Sequence, residues 1–168
     1  MRTRGERWQQ PMKTLYFDVN RTIVLNYVCK PALAGGIFED GIRGAGFHRL
    51  VCVSNVQHTI QFLEEIGQAP DSLGIMFDMC WGAFRDRDWF GQVTTIVAEP
   101  EHRARYIDFT GDWWYLDDLA RDYFERERFS QLYEANNGGR ILAPLAESDG
   151  TEILRWLRAS VSAACSNA

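Results

Sequence analysis

An α/β fold with a mostly parallel sheet is predicted by three apolar runs that each end in a polar tip, and by helical periodicity between them. The runs are Lys13–Phe17 ending at Asp18, Arg49–Val53 ending at Ser54 and Asn55, and Trp113–Leu116 ending at Asp117 and Asp118. Short continuous apolar runs closed by turn chemistry read as buried strands. The order strand, polar tip, helix makes βαβ units, and hence parallel strands, the expectation. Parallel strands bring their tips to one sheet edge, where open α/β sheets gather ligands. Asp18 is therefore placed for chemistry rather than for packing.

The 168 residues, 46% hydrophobic and 13% aromatic, suffice for a single domain with a real core. Net charge is -5, and Lys13 and Lys30 are the only lysines. An acidic chain without a basic run argues against a nucleic-acid footprint. Cys29, Cys52, Cys80 and Cys165 stand singly, with no Cys-x-x-Cys pair and no histidine at ligand spacing. Neither a zinc site nor a disulfide framework is indicated, and reduced thiols in a cytoplasmic protein are expected. No apolar stretch reaches the roughly 18 residues of a membrane span, and the start of the chain lacks an apolar signal core. Residues 1–11 are expected to form a flexible extension, 12–161 one α/β domain, and 162–168 a frayed tail of small residues.

After the Asp18 loop, the glycine-rich stretch Ala32–Gly46 predicts an irregular segment and a short helix over Phe38–Ala45. Val56–Ile66 carries apolar residues at helical spacing, with Gly67 as its stop. Between Pro70 and Gly91 large rings (Phe77, Trp81, Phe84, Trp89, Phe90) interleave with charges. They read either as a strand with a packed loop or as a lid or self-association surface, which would make a homodimer. Val93–Ala98 is a β-rich run, and Glu99–Tyr106 a short helix opened by Pro100. Leu119–Tyr133 reads as one charged helix stopped by Asn137-Gly138-Gly139. Arg140–Ala143 is a short strand, and Thr151–Val161 a final amphipathic helix. His48, His58 and His102 are isolated, and only His58 lies on an element that starts at the proposed edge.

The stretch Asp18-Val19-Asn20-Arg21-Thr22 after an apolar strand resembles the first motif of the haloacid dehalogenase (HAD) superfamily, Asp-x-Asp-x-Thr. With the later tips, the resemblance covers about Met12 to Leu157. It implies a Rossmann-like, HAD-type three-layer sandwich. The spacing from Thr22 to Arg49 leaves no room for a large cap domain, and Gly67–Val93 would supply at most a small loop cap. An open site of that kind suits a bulky substrate or one enclosed by a second subunit.

The resemblance further implies a magnesium-dependent hydrolase, a phosphatase in which Asp18 attacks phosphorus to give an aspartyl-phosphate. Magnesium would be held by Asp18, the main-chain carbonyl of Asn20, and Asp117 or Asp118, a hard-oxygen set. Thr22, the Ser54 hydroxyl and Asn55 match substrate-binding positions. The basic residue of the third motif falls to Arg103 or Arg105, with Arg103 favoured because it lies nearer the helix start. Gly111-Asp112 followed by Asp117 also fits the last motif, with 105–110 as the strand and Asp112 as a ligand in reserve. The departures are Asn20, where most phosphatases carry the Asp that protonates the leaving group, and Arg21, where glycine is common. An amide does not titrate, so the alternative is a weakly active or inactive HAD-fold protein that binds a phosphate-bearing ligand or a protein partner. A receiver-like domain with Asp18 as phospho-acceptor fits less well, because receivers carry their acidic pair before that strand.

Overall fold

The chain's first strand, Thr14–Phe17 (β1), lies at the centre of a five-stranded sheet in this computed structural model, which describes residues 12–26, 28–54, 65–67, 82–90, 94–97 and 100–165. On one side stand Arg49–Ser54 (β4) and then Thr94–Val97 (β5); on the other, Trp113–Leu116 (β6) and then Ile141–Leu142 (β7). Every neighbouring pair is parallel, as the polar-tip pattern predicts. Val24–Leu25 (β2) and Val28–Cys29 (β3) form a separate antiparallel hairpin directly after the Asp18 loop, an element too short for periodicity to signal.

Register explains why the tips converge. Phe17 pairs with Cys52 on one side and Leu116 on the other, so Asp18 and Asp117 leave the sheet at one level, beside Val53 near the end of β4. The chain runs outward from β1 through β4 to β5, then returns to β6 and continues to β7. Strand order therefore reverses beside β1, and such a switch point is where an open α/β sheet forms a ligand crevice.

Side-chain alternation feeds two cores. Leu15, Phe17, Leu50, Cys52, Trp114 and Leu116 pack with residues of two helices, Ile37–Gly44 (α1) and the C-terminal helix. Tyr16, Val51, Val53, Trp113 and Tyr115 pack instead with Ala104, Ala120, Phe124 and Tyr133. Strands buried on both faces are what continuous apolar runs require. Among the described residues, no helix is long and apolar enough to cross a membrane.

Several elements differ from expectation. Pro100–Tyr106 is a 3₁₀ segment rather than an α-helix. The single helix expected over Leu119–Tyr133 is two, Ala120–Arg126 (α3) and Ser130–Asn136 (α4), after the short helix Arg87–Phe90 (α2). The break lies at Arg128, whose backbone is left-handed at φ 63°. Phe129 then closes back, its N–H donating to the Phe124 carbonyl at 2.8 Å, and its ring meets Phe109 with centroids 5.2 Å apart. Aromatic burial thus outweighs helix continuity there. The last helix, Thr151–Cys165 (α5), runs four residues past its expected end. Of the expected helix Val56–Ile66, residues 56–64 lie outside the described residues.

The described rings of the aromatic stretch point inward. Phe84 is 3% and Phe90 1% exposed, and Phe84 touches Phe17, Phe38, Trp89 and Phe90. Trp89 packs against the same core beneath the Arg43 guanidinium, 4.4 Å from the ring centre. These three are core packing rather than a lid or docking face, and Trp81 lies outside the described residues. Phe84→Ala should accordingly cost about 3–5 kcal/mol of unfolding free energy, the range for emptying a buried aromatic site. Urea denaturation measures this, and a loss below about 1 kcal/mol would take Phe84 out of the core.

Candidate active site

The loop after β1 is folded by one carbonyl. Val19 O accepts the N–H groups of Thr22, Ile23 and Val24 at 3.2, 3.0 and 3.1 Å, which curls the chain beneath Asp18. Arg21 takes the left-handed backbone, φ 66°, that the turn demands at the position where the resemblance expects glycine. The curl brings Thr22, fully buried, to Asp18 and to the tip of β6 at once. Its hydroxyl accepts the Asp118 N–H at 3.0 Å. Its one proton is shared between Asp18 Oδ2 at 3.2 Å and Asp118 Oδ1 at 3.3 Å.

At the tip of β6, Asp117 is wholly buried and both its oxygens are engaged. Oδ1 accepts the Leu119 N–H at 2.9 Å, and Oδ2 accepts the Tyr115 hydroxyl at 2.9 Å and Arg103 Nη1 at 3.2 Å. The same Nη1 lies 2.8 Å from Asp18 Oδ1. That contact is charge pairing at a poor angle, because Asp18 Oδ1 and Arg103 Nε are buried with no hydrogen bond among the described residues. The Tyr123 ring lies against Arg103, 4.8 Å from guanidinium carbon to ring centre. The Asp118 side chain is largely buried, its Oδ2 3.5 Å from Nε of the largely exposed Arg21.

Two carboxylates therefore share one buried guanidinium, a third stands beside them, and an oxygen from each of Asp18, Asp117 and Asp118 lies within 4.8 Å of the others. Burial is the first cause of each shift that follows. It raises the Asp18 pKa from 3.8 to about 6, with Arg103 pulling it down and Asp118 adding to the rise. Burial and the Asp18 charge hold Asp117 well above the ordinary carboxylate range. Asp118 is raised too, with Thr22 and Arg21 working against the rise. Burial opposes the charge on Arg103, but Asp18 and Asp117 outweigh it and keep the guanidinium protonated. Burial and Asp117 raise Tyr115, and burial lifts Tyr123 to about 12. Three hard-oxygen donors, an orphaned buried Asp18 oxygen and an excess of negative charge suit a divalent cation such as magnesium.

The sequence candidates divide by position. Asp18, Thr22, Arg103, Asp117 and Asp118 meet. Arg105 does not; it is exposed and pairs with Glu127 at 3.5 Å. Asp112 is also excluded, since Trp113–Leu116 is the strand and Asp112 sits at its other end. There its Oδ1 accepts Arg140 Nη1 at 2.7 Å and Trp114 Nε1 at 3.0 Å. Asn20 is exposed and lines a cleft of about 420 Å³ with Arg21, Asn26, Glu147 and the apolar Val24, Leu25 and Ala146. Ser54 closes β4 at the site's edge, while Asn55 and His58 lie outside the described residues. His48 is exposed just before β4, at the opposite edge. Sequence reasoning missed Tyr115, although two-residue alternation puts it on the face of Asp117. It also missed Tyr123, which no local pattern marks. Comparison with protein-family models, curated proteins and solved structures finds no match.

A carboxyl whose pKa is raised on folding favours the protonated folded form. Its contribution to stability is complete below the unfolded value of 3.8 and is lost as pH rises through about 6. Without divalent cations, Asp18→Asn should therefore be more stable than the native chain at about pH 7.5, with the gap narrowing at about pH 5. Urea denaturation of both proteins in chelator reads the difference. A gap that widens on acidification would contradict the buried-charge account.

Proposed function

We propose that this protein is a HAD-like hydrolase of three-layer, Rossmann-like architecture without a large cap, acting on a small phosphate monoester through an aspartyl-phosphate on Asp18. One observation carries the reading: Asp18, Asp117 and Asp118 meet around Arg103 at the switch point of a parallel sheet. Asp18, the Asn20 main-chain carbonyl, Asp118 and Asp117 would hold magnesium, which neutralises phosphoryl charge when bound. Cys29 and Cys52 are buried thiols outside any disulfide, which suits a reducing compartment, so cytoplasmic residence belongs to the same proposal.

The chain's own groups divide the work. Asp18, oriented by Thr22, attacks phosphorus; the aspartyl O–P bond forms as the ester P–O bond breaks, and the leaving oxygen takes a proton from solvent water at the open mouth. Water then attacks the same phosphorus, the aspartyl O–P bond breaks, and inorganic phosphate and the Asp18 carboxylate return. Arg103 remains cationic through both steps and offsets charge at Asp18 and Asp117. Asn20 stands at the mouth, where the leaving group departs, and offers a hydrogen bond but no proton. Slow turnover follows.

The same amide favours a second reading, a phosphate-ligand or protein binder with little turnover. Asn20→Asp separates the two. A placed general acid/base contributes about 10²- to 10⁴-fold, so hydrolysis of p-nitrophenyl phosphate with magnesium should rise within that range. A folded, magnesium-binding variant with no gain would count against hydrolysis.

A further inference from the structure

We infer that the cleft beside the aspartates is the leaving-group subsite and that it selects phosphate monoesters carrying an amino group, which Glu147 receives. The inference rests on the hydrolase reading for the position of the phosphoryl group. The cleft begins where that position ends: Asn20 and Arg21 follow Asp18 in the curled loop, line the cleft, and Arg21 Nε lies 3.5 Å from Asp118 Oδ2. Across from them stands the connection between β7 and α5, which brings Glu147 to the lining.

That connection is anchored from behind. Lys30 is 2% exposed, and its Nζ donates to Leu145 O at 2.9 Å and to Ser148 Oγ at 3.2 Å. The Ala32 N–H donates to Asp149 O at 2.9 Å. Gly150 takes φ 95° against Leu33, where a Cβ would come within 2.8 Å of a side-chain carbon. Ala146 and Glu147 are thus held between two fixed points, and the wall they form is built into the fold.

Charge then selects the occupant. The Lys30 charge is met by Glu152, Asp118 and Asp149, so it does not answer Glu147. Glu147 has no cation partner among the described residues. A phosphate at Asp18 and an ammonium at Glu147 complete both ends of the site. An uncharged polyol ester would use the Asn20 and Asn26 amides but leave that carboxylate unmatched. An anionic leaving group would meet the Glu147 carboxylate, while the cleft's one described cation, Arg21, is already engaged by Asp118. The volume of about 420 Å³ suits a compact amino-alkyl or amino-sugar group.

The test uses the full chain with magnesium and two esters of nearly equal shape, phosphoethanolamine and 2-hydroxyethyl phosphate, compared in kcat/KM and in equilibrium binding. Glu147 is exposed, so the amine should be preferred by about two- to fivefold, the scale of one surface charge pair. In a folded Glu147→Gln variant the ratio should fall to near one. Equal treatment by the native chain, or a preference that survives Glu147→Gln, overturns the subsite. If neither ester nor p-nitrophenyl phosphate is hydrolysed while the amine still binds preferentially and loses that preference in Glu147→Gln, the hydrolase reading and the leaving-group role fall together and only an amine-binding cleft remains.

Discussion

Three largely buried carboxylates, two of them paired with one buried guanidinium, are the constraint on which this structure turns. Charge of one sign in a dry place is costly, and a chain evolved for stability alone would fill the spot with apolar groups. Here the sheet does the opposite. β1 and β6, buried on both faces, end at the same level and deliver Asp18 and Asp117 side by side. The cost is tolerable because the strands beneath supply two apolar cores, and under the proposed function it has a use, since such a cluster could hold a divalent cation.

The surroundings fix the carboxylates rather than neutralise them. Thr22 links Asp18 to the Asp118 backbone, Tyr115 and the Leu119 N–H orient Asp117, and Tyr123 packs against Arg103. Arg103 is suited to the one cationic position, because its guanidinium stays charged wherever the carboxyl protons lie. Through a single Nη1 it reaches both Asp18 and Asp117. The oxygen it leaves without a hydrogen bond belongs to the proposed nucleophile. The site is rigid where charge must be placed and opens at Asn20, where a substrate would enter.

Much of this was legible in the sequence, for a physical reason. A continuous apolar run must be buried, a buried run in a βαβ chain is a parallel strand, and its first polar residue must emerge at the edge. That logic places Asp18 and the Asp117-Asp118 pair; Arg103 comes only from the resemblance, whose third motif asks for a basic residue before the last strand and leaves Arg105 as the alternative. It breaks down where tertiary packing decides. Asp112 was a candidate only while the strand bounds were open, and the apolar faces of Trp113–Leu116 settle them. The break at Arg128 reflects Phe129 turning into a ring cluster drawn from distant segments. The cleft joins residues 20–26 to 146–147, and no local pattern reveals such a pairing.

The central claim is that the carboxylate cluster exists to bind a divalent cation, and calorimetric titration of the metal-free chain with magnesium tests it most directly. Saturable binding of one ion at millimolar concentration or below, abolished in a folded Asp118→Asn variant, is the outcome the buried charge predicts. No saturable heat in the native chain, or binding that Asp118→Asn leaves unchanged, would contradict it.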